Sequence, residues 1–268
     1  MNDATTGSAV ATRRPGRRAV LIGASNLTRG MATALQTVQT MWQPPVEMLV
    51  AAGLGRSYGL TSRILGRSLP SILSCGLWDA LEKGPPLPTT ALLTDVGNDL
   101  LYGASVKQLV RWVATCIERL LPVCNPIVLA RLPLDSLARL GDFKYAMMRR
   151  LFFPGSRLTR EQTVERAVEV DLQVAELAEK HGILTVQPSI DWYGFDPIHI
   201  RRSYNGTAWS YLLQGWDPEK ELSSVKTSCF QRWRLRLKRP LQRHFLGRRQ
   251  IRNQPSVFFL DGSSVSFY

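Results

Sequence analysis

Three side chains in this sequence have the types that acyl chemistry uses. Ser25 follows the apolar run Ala19–Ile22 and Gly23, in "VLIGASN". Asp196 and His199 stand three residues apart in "FDPIHI". A serine hydroxyl is a weak nucleophile and requires a base within hydrogen-bond reach. An imidazole can accept that proton near neutral pH and return it to a leaving group. A carboxylate three residues earlier can fix the imidazole's tautomer and stabilise its charged form. The chain has three histidines. His181 ends a helical stretch beside Gly182, and His244 lies in a basic tail, so His199 is the one placed on a loop after a strand. Taken alone, Ser25 reads equally as a helix cap, because serine satisfies free backbone N–H groups at helix starts.

Positioning these groups falls to alternating strand and helix signals. Strands are expected at Ala19–Ile22, Glu47–Ala52, Ala91–Val96, Pro126–Leu132 and Ile183–Gln187. Helical periodicity runs over Leu27–Trp42, most of Leu60–Leu81, Ser105–Leu121 and a stretch from Thr159 to His181 that opens on the capping pattern Thr159-x-x-Gln162. Ser136–Phe153 is ambiguous, and a short helix is expected near Ser203–Leu213. Strands alternating with helices imply a parallel sheet covered on both faces. The expected fold class is therefore α/β: a three-layer, doubly wound, five-stranded parallel sheet of flavodoxin-like type. Active sites in such folds gather at the carboxyl ends of the strands, where this chain carries "GASN", "GLGRSYG", "DVGND" and "DPIH".

These four blocks, in this order and each after its strand, resemble the SGNH hydrolases, relatives of the GDSL esterases and lipases. The resemblance covers about Ala19 to Trp216. It implies Ser25 as nucleophile, and Asp196 and His199 as its partners. It implies an oxyanion hole built from the backbone N–H groups of Ser25 and Gly55 and the side-chain amide of Asn98, with Gly55 favoured over Gly53. One such donor is worth roughly 3 to 4 kcal/mol in a transition state. The pattern departs from the family at three points: Ala24 stands where Gly-Asp-Ser has its aspartate, Val96 where a glycine stands two places before the block-three asparagine (the glycine here is Gly97), and Ile200 where proline often follows the histidine. The activity implied is cleavage of an ester or related acyl bond in a small-molecule, carbohydrate or lipid substrate. Acyl transfer, thioester cleavage, and a silent domain that binds through its basic ends are the alternatives.

Other residues have plainer expectations. Asp99 reads as a loop anchor. Arg56 is a candidate for contacting an anionic part of a substrate, with a solvated side chain as its alternative. "GLGRSYG" imitates a dinucleotide fingerprint but lacks the Gly-x-Gly-x-x-Gly spacing and follows the second strand. No cofactor and no metal is expected, since the four cysteines form no Cys-x-x-Cys pair and no histidine cluster accompanies them.

Composition sets the outer limits. The 268 residues are 44% hydrophobic and 21% charged, as in soluble globular proteins. No apolar run approaches the roughly 18 residues of a transmembrane helix, and the N-terminus has no signal-like apolar region, so a cytoplasmic location is expected. The net charge of +13 is concentrated at the ends. Residues 222–260 carry ten Lys or Arg and no acidic residue, whereas residues 19–221 are nearly neutral. A neutral body does not resemble a nucleic-acid-binding domain. The expected division is a disordered basic segment over 1–18, a hydrolase domain over 19–216 and a basic extension over 217–268. The extension's 226–252 stretch interleaves Phe230, Trp233 and Leu237 with cations, a composition suited to an anionic membrane surface, to nucleic acid, or to packing its apolar side on the hydrolase domain, with a partly ordered extension without a partner as the plainer expectation.

Overall fold

The computed structural model describes residues 14–64 and 66–268. The expectation of disorder over residues 1–18 falls largely outside the described residues. Within them, Arg17 and Arg18 already belong to the first strand. Arg18 is buried and paired with Glu47 on the next strand, and Arg17 stacks over Trp42. The first strand thus begins two residues before Ala19.

Five parallel strands form the centre: β1 (Arg17–Ile22), β2 (Val46–Ala51), β5 (Thr89–Leu93), β6 (Ile127–Ala130) and β7 (Leu184–Val186). Their spatial order, β2-β1-β5-β6-β7, is the flavodoxin-like one. Alternate residues feed the two faces, as the strand period of two requires. Val20, Ile22, Leu49, Ala51, Leu93 and Leu129 enter one core; Ala19, Leu21, Met48, Val50, Leu92 and Val128 enter the other.

Helices cover both cores. Between β2 and β5 lies α2 (Leu77–Lys83), and after β5 come α3 (Asn98–Leu101) and α4 (Val106–Leu120). Between β6 and β7 run α5 (Leu134–Ala138), α6 (Asp142–Phe152) and α7 (Arg160–Lys180). Thr159 and Gln162 form the expected reciprocal capping box at the start of α7. On the opposite face, α1 (Ser25–Met41) packs on α8 (Asn205–Gln214). The approach is close at Gly30, where an added Cβ would sit 1.9 Å from Trp209 Nε1.

Two sequence expectations are corrected here. Leu60–Leu81 is not mainly helical. It forms the short antiparallel strands β3 (Ser62–Ile64) and β4 (Arg67–Leu69), followed by turns and α2. The reason is tertiary: β4 pairs with β8 (Gln242–Phe245), which pairs with β9 (Arg248–Ile251), giving a second, antiparallel sheet. The 217–268 stretch, in turn, does not stand apart from the domain. After α9 (Cys229–Arg236), its strands β10 (Val257–Phe258) and β11 (Ser264–Phe267) extend the central sheet to seven strands, with β11 parallel to β2. Ser263 Oγ accepts a 2.9 Å hydrogen bond from Val46 N, and Tyr268 N donates to Val50 O at 2.9 Å.

Candidate active site

Ser25 is the first residue of α1, at the carboxyl end of β1. It does not cap that helix. The cap position is Ala24, which has no side-chain acceptor. The free N–H groups are met instead by Asp95, just beyond β5. Its Oδ2 accepts from Ala24 N at 2.7 Å, Asn26 N at 3.1 Å and Leu27 N at 3.2 Å. A carboxylate here also opposes the positive end of the helix dipole. Asp95 adopts φ 61°, a left-handed conformation that Asp tolerates better than most residues. The three accepted groups skip Ser25 N–H, which remains uncommitted among the described residues.

His199 arrives on the loop that follows β7. Its Nε2 lies 2.9 Å from Ser25 Oγ and its Nδ1 lies 2.6 Å from Asp196 Oδ2. The structure therefore joins Ser25, His199 and Asp196 in one hydrogen-bonded chain. Ser25 and His199 are both buried. Burial works to raise the Asp196 pKa. The hydrogen bond and charge of His199, the Ile198 N–H and nearby Arg29 outweigh it and hold the carboxyl below its usual range. Arg29 Nη1 stands 3.6 Å from the same Oδ2.

One residue that the sequence reading passed over ties the two halves together. Asn26 Nδ2 donates to Asp95 Oδ1 at 2.7 Å and to Ile198 O at 2.8 Å, while its Oδ1 accepts from Ile200 N at 2.8 Å. The backbone on both sides of His199 is thus fastened to the residue after Ser25. The available signal was position: Asn26 and Asp95 both stand at strand ends, on the edge where Ser25 lies.

Asn98 opens α3, and its side chain makes no hydrogen bond among the described residues. It lines a narrow, mostly apolar cavity of about 80 Å³ together with Asn26, Leu132, Trp192 and Ile198. Gly55 adopts φ +62°, and a Cβ there would lie 2.6 Å from Tyr102 Oη. Burial and the Asp99 charge push the Tyr102 phenol up to about 12, so it keeps its proton. Asp99 is fully buried and holds the Gly55 loop in place: its carboxylate accepts from Ser57 Oγ and, at 3.1 Å, from Tyr58 N. Burial lifts its pKa to about 6 against these two hydrogen bonds.

Arg56 corrects both expectations for it, since it is neither solvated nor open to a substrate. It is fully buried and donates to Ala52 O and Tyr268 O, pinning the last residues of the chain beneath the Gly55 loop. Among the described residues no cluster of His, Cys, Asp or Glu is arranged to hold a metal ion. No described helix is long and apolar enough to cross a membrane.

With this geometry in hand, the solved structures similar to the chain can be compared. LAE5, an α/β hydrolase enzyme from the metagenome of Lake Arreo, matches with TM-score 0.50 and 10% identity over 75% of this chain and 95% of its own. A lipolytic protein of the G-D-S-L family from Veillonella parvula gives TM-score 0.48 and 13% identity over 76% and 100%. The native aryl esterase of M. smegmatis gives TM-score 0.48 and 14% identity over 72% and 94%. At such identities the likeness is one of fold, a three-layer α/β/α sandwich. No family model matches the sequence. No curated protein matches it either.

Proposed function

We propose that this chain is a divergent SGNH-type serine hydrolase that cleaves an ester or related acyl bond. The observation that carries the reading is the hydrogen-bonded chain from Ser25 Oγ through the His199 ring to Asp196, at 2.9 and 2.6 Å. Contacts of this length suit proton transfer without rearrangement.

In the proposed reaction, Ser25 Oγ attacks the acyl carbonyl carbon as His199 Nε2 takes the hydroxyl proton. Asp196 accepts from His199 Nδ1–H, so the ring carries its lone pair on Nε2 before attack and its positive charge is stabilised afterwards. The developing oxyanion is met by the uncommitted Ser25 N–H, the Asn98 amide and the Gly55 N–H. Collapse breaks the bond to the leaving alcohol oxygen, which receives the proton from Nε2. Water then attacks the acyl-Ser25 ester with His199 again as base, releasing the acid and restoring Ser25. The narrow cavity beside Asn98 suits a short acyl chain. Replacing water by another acceptor would make the same steps acyl transfer.

The test is labelling with a fluorophosphonate probe, followed by mapping of the modified peptide. Modification at Ser25, lost in Ser25→Ala and strongly slowed in His199→Ala, is expected. A label elsewhere would overturn the site, and none on the folded chain would leave a silent domain.

A further inference from the structure

A second cavity, apart from the one beside Asn98, is a charged cleft of about 420 Å³. One wall is the hydrolase domain: Thr28, Arg29 and Met31 of α1, Ala52–Leu54 before Gly55, and Arg67 on β4. The other wall is α9 and the chain after it, which supply Arg232, Arg236 and Lys238. Five cations line this space, and no Asp or Glu lines it. Only Arg29 has a carboxylate partner among the described residues, Asp196. Arg67 instead donates to the Leu54 carbonyl at 3.1 Å. Burial, then the charges of Arg243 and Arg56, lower its pKa.

Such an arrangement opposes itself unless an anion joins it. The wall is also firmly built. Ser228 and Gln231 form a capping box on α9, Arg232 Nη1 donates to Thr227 O at 2.6 Å, and Thr227 Oγ1 lies 3.2 Å from Thr33 Oγ1 on α1. A single carboxylate needs one guanidinium. Several guanidinium groups and an ammonium around one space suit a phosphate, which offers more charge and more acceptor oxygens.

We propose that this cleft binds a phosphate group carried by the non-acyl half of the substrate. This rests on the serine hydrolase reading and adds the substrate class: an ester whose alcohol portion is phosphorylated. Arg29 links the two sites, since it lines the cleft and stands 3.6 Å from Asp196 Oδ2. The volume lies within the roughly 300 to 1,000 Å³ of small-molecule sites. On this view the basic C-terminal stretch forms half of a substrate pocket.

The experiment uses the full chain and two readouts. Calorimetric titration compares glycerol 3-phosphate with glycerol, and kinetics compare 1-acetylglycerol 3-phosphate with 1-acetylglycerol. Glycerol 3-phosphate is expected to bind and glycerol not to. Arg236→Gln/Lys238→Gln, at exposed and half-buried positions, is expected to weaken binding at least about tenfold and to reduce the kinetic preference for the phosphorylated ester similarly, since two charge-assisted contacts are lost. Equal binding of the two alcohols, or an unchanged preference in a variant with a native circular dichroism spectrum, would overturn the proposal. So would retention on phosphatidylglycerol vesicles without binding of soluble glycerol 3-phosphate, which would make the surface a membrane contact. If glycerol 3-phosphate binds while fluorophosphonate fails to label Ser25, the phosphate site stands and the hydrolase reading falls.

Discussion

Asn26 fastens His199 to the serine loop, by accepting from the N–H of Ile200 at 2.8 Å and donating to the carbonyl of Ile198 at 2.8 Å. The histidine is thereby held at both backbone neighbours by the residue next to Ser25. Asn26→Ala removes both contacts. An imidazole displaced by about 1 Å costs on the order of 10²-fold in rate, so kcat on a p-nitrophenyl ester should fall by about that factor with KM little changed. Asn26→Asp should not rescue it, because it keeps the acceptor but loses both donors and sets a second carboxylate against Asp95. Turnover within about twofold of the native chain would remove Asn26 from this role.

Asp95, on the loop after the neighbouring strand β5, supplies what Ala24 lacks. Its Oδ2 accepts three N–H groups at the start of α1. Asp95→Ala strands these donors and places alanine at φ 61°. The expected loss is about 2 to 3 kcal/mol for the cap and about 1 for the backbone, read as the urea midpoint. Asp95→Asn keeps an acceptor and tolerates the left-handed backbone, so it should lose distinctly less. Equal destabilisation by the two substitutions would show that capping is not what Asp95 contributes.

Gly55 and Gly53 separate by conformation. Gly55 sits at φ +62°, and a Cβ there would also press 2.1 Å from Ile64 Cδ1. Gly53 has no positive φ, and its nearest clash is the flexible end of Leu69 at 2.5 Å. Gly55→Ala should therefore turn the N–H away and lower kcat by roughly 10² to 10³, the cost of one oxyanion donor. Gly53→Ala should cost less than about tenfold. Parallel kinetics on one ester decide it, and a larger loss at Gly53 would move the donor there.

The four motif blocks were readable because each expected site residue is a particular residue type on the segment that follows a strand, and strands here are short apolar runs ending in glycine or polar residues. What positions them was not. Asp95 looks like an ordinary turn residue until the chain places it against Ala24, 71 residues away. Arg56 looks like a surface cation, but in the fold it is buried and bonded to Tyr268, which returns to Val50 from the far end of the chain. Leu60–Leu81 has enough apolar spacing to read as a helix. Its first part is drawn into a hairpin because Arg67 and Ser68 pair with Phe245 and His244, residues met only near the chain's end. In each case a contact distant in sequence outweighs the local signal.

Asp99 makes the fold sensitive to pH in a direction opposite to most salt-bridged carboxylates. Burial raises its pKa from 3.8 to about 6 in the folded chain. Between these values the folded state holds a proton that the unfolded state has released. Stability therefore falls as pH rises through that window. The shift of about two units corresponds to at most about 3 kcal/mol. Asp99→Asn removes the titration while keeping one acceptor for Ser57 or Tyr58. Urea unfolding of both chains at about pH 4 and about pH 7 isolates the effect, because every other group cancels in the difference. The native chain should lose stability relative to the variant as pH rises. A flat difference, or one of opposite slope, would mean that Ser57 and Tyr58 stabilise the Asp99 carboxylate enough to offset its burial.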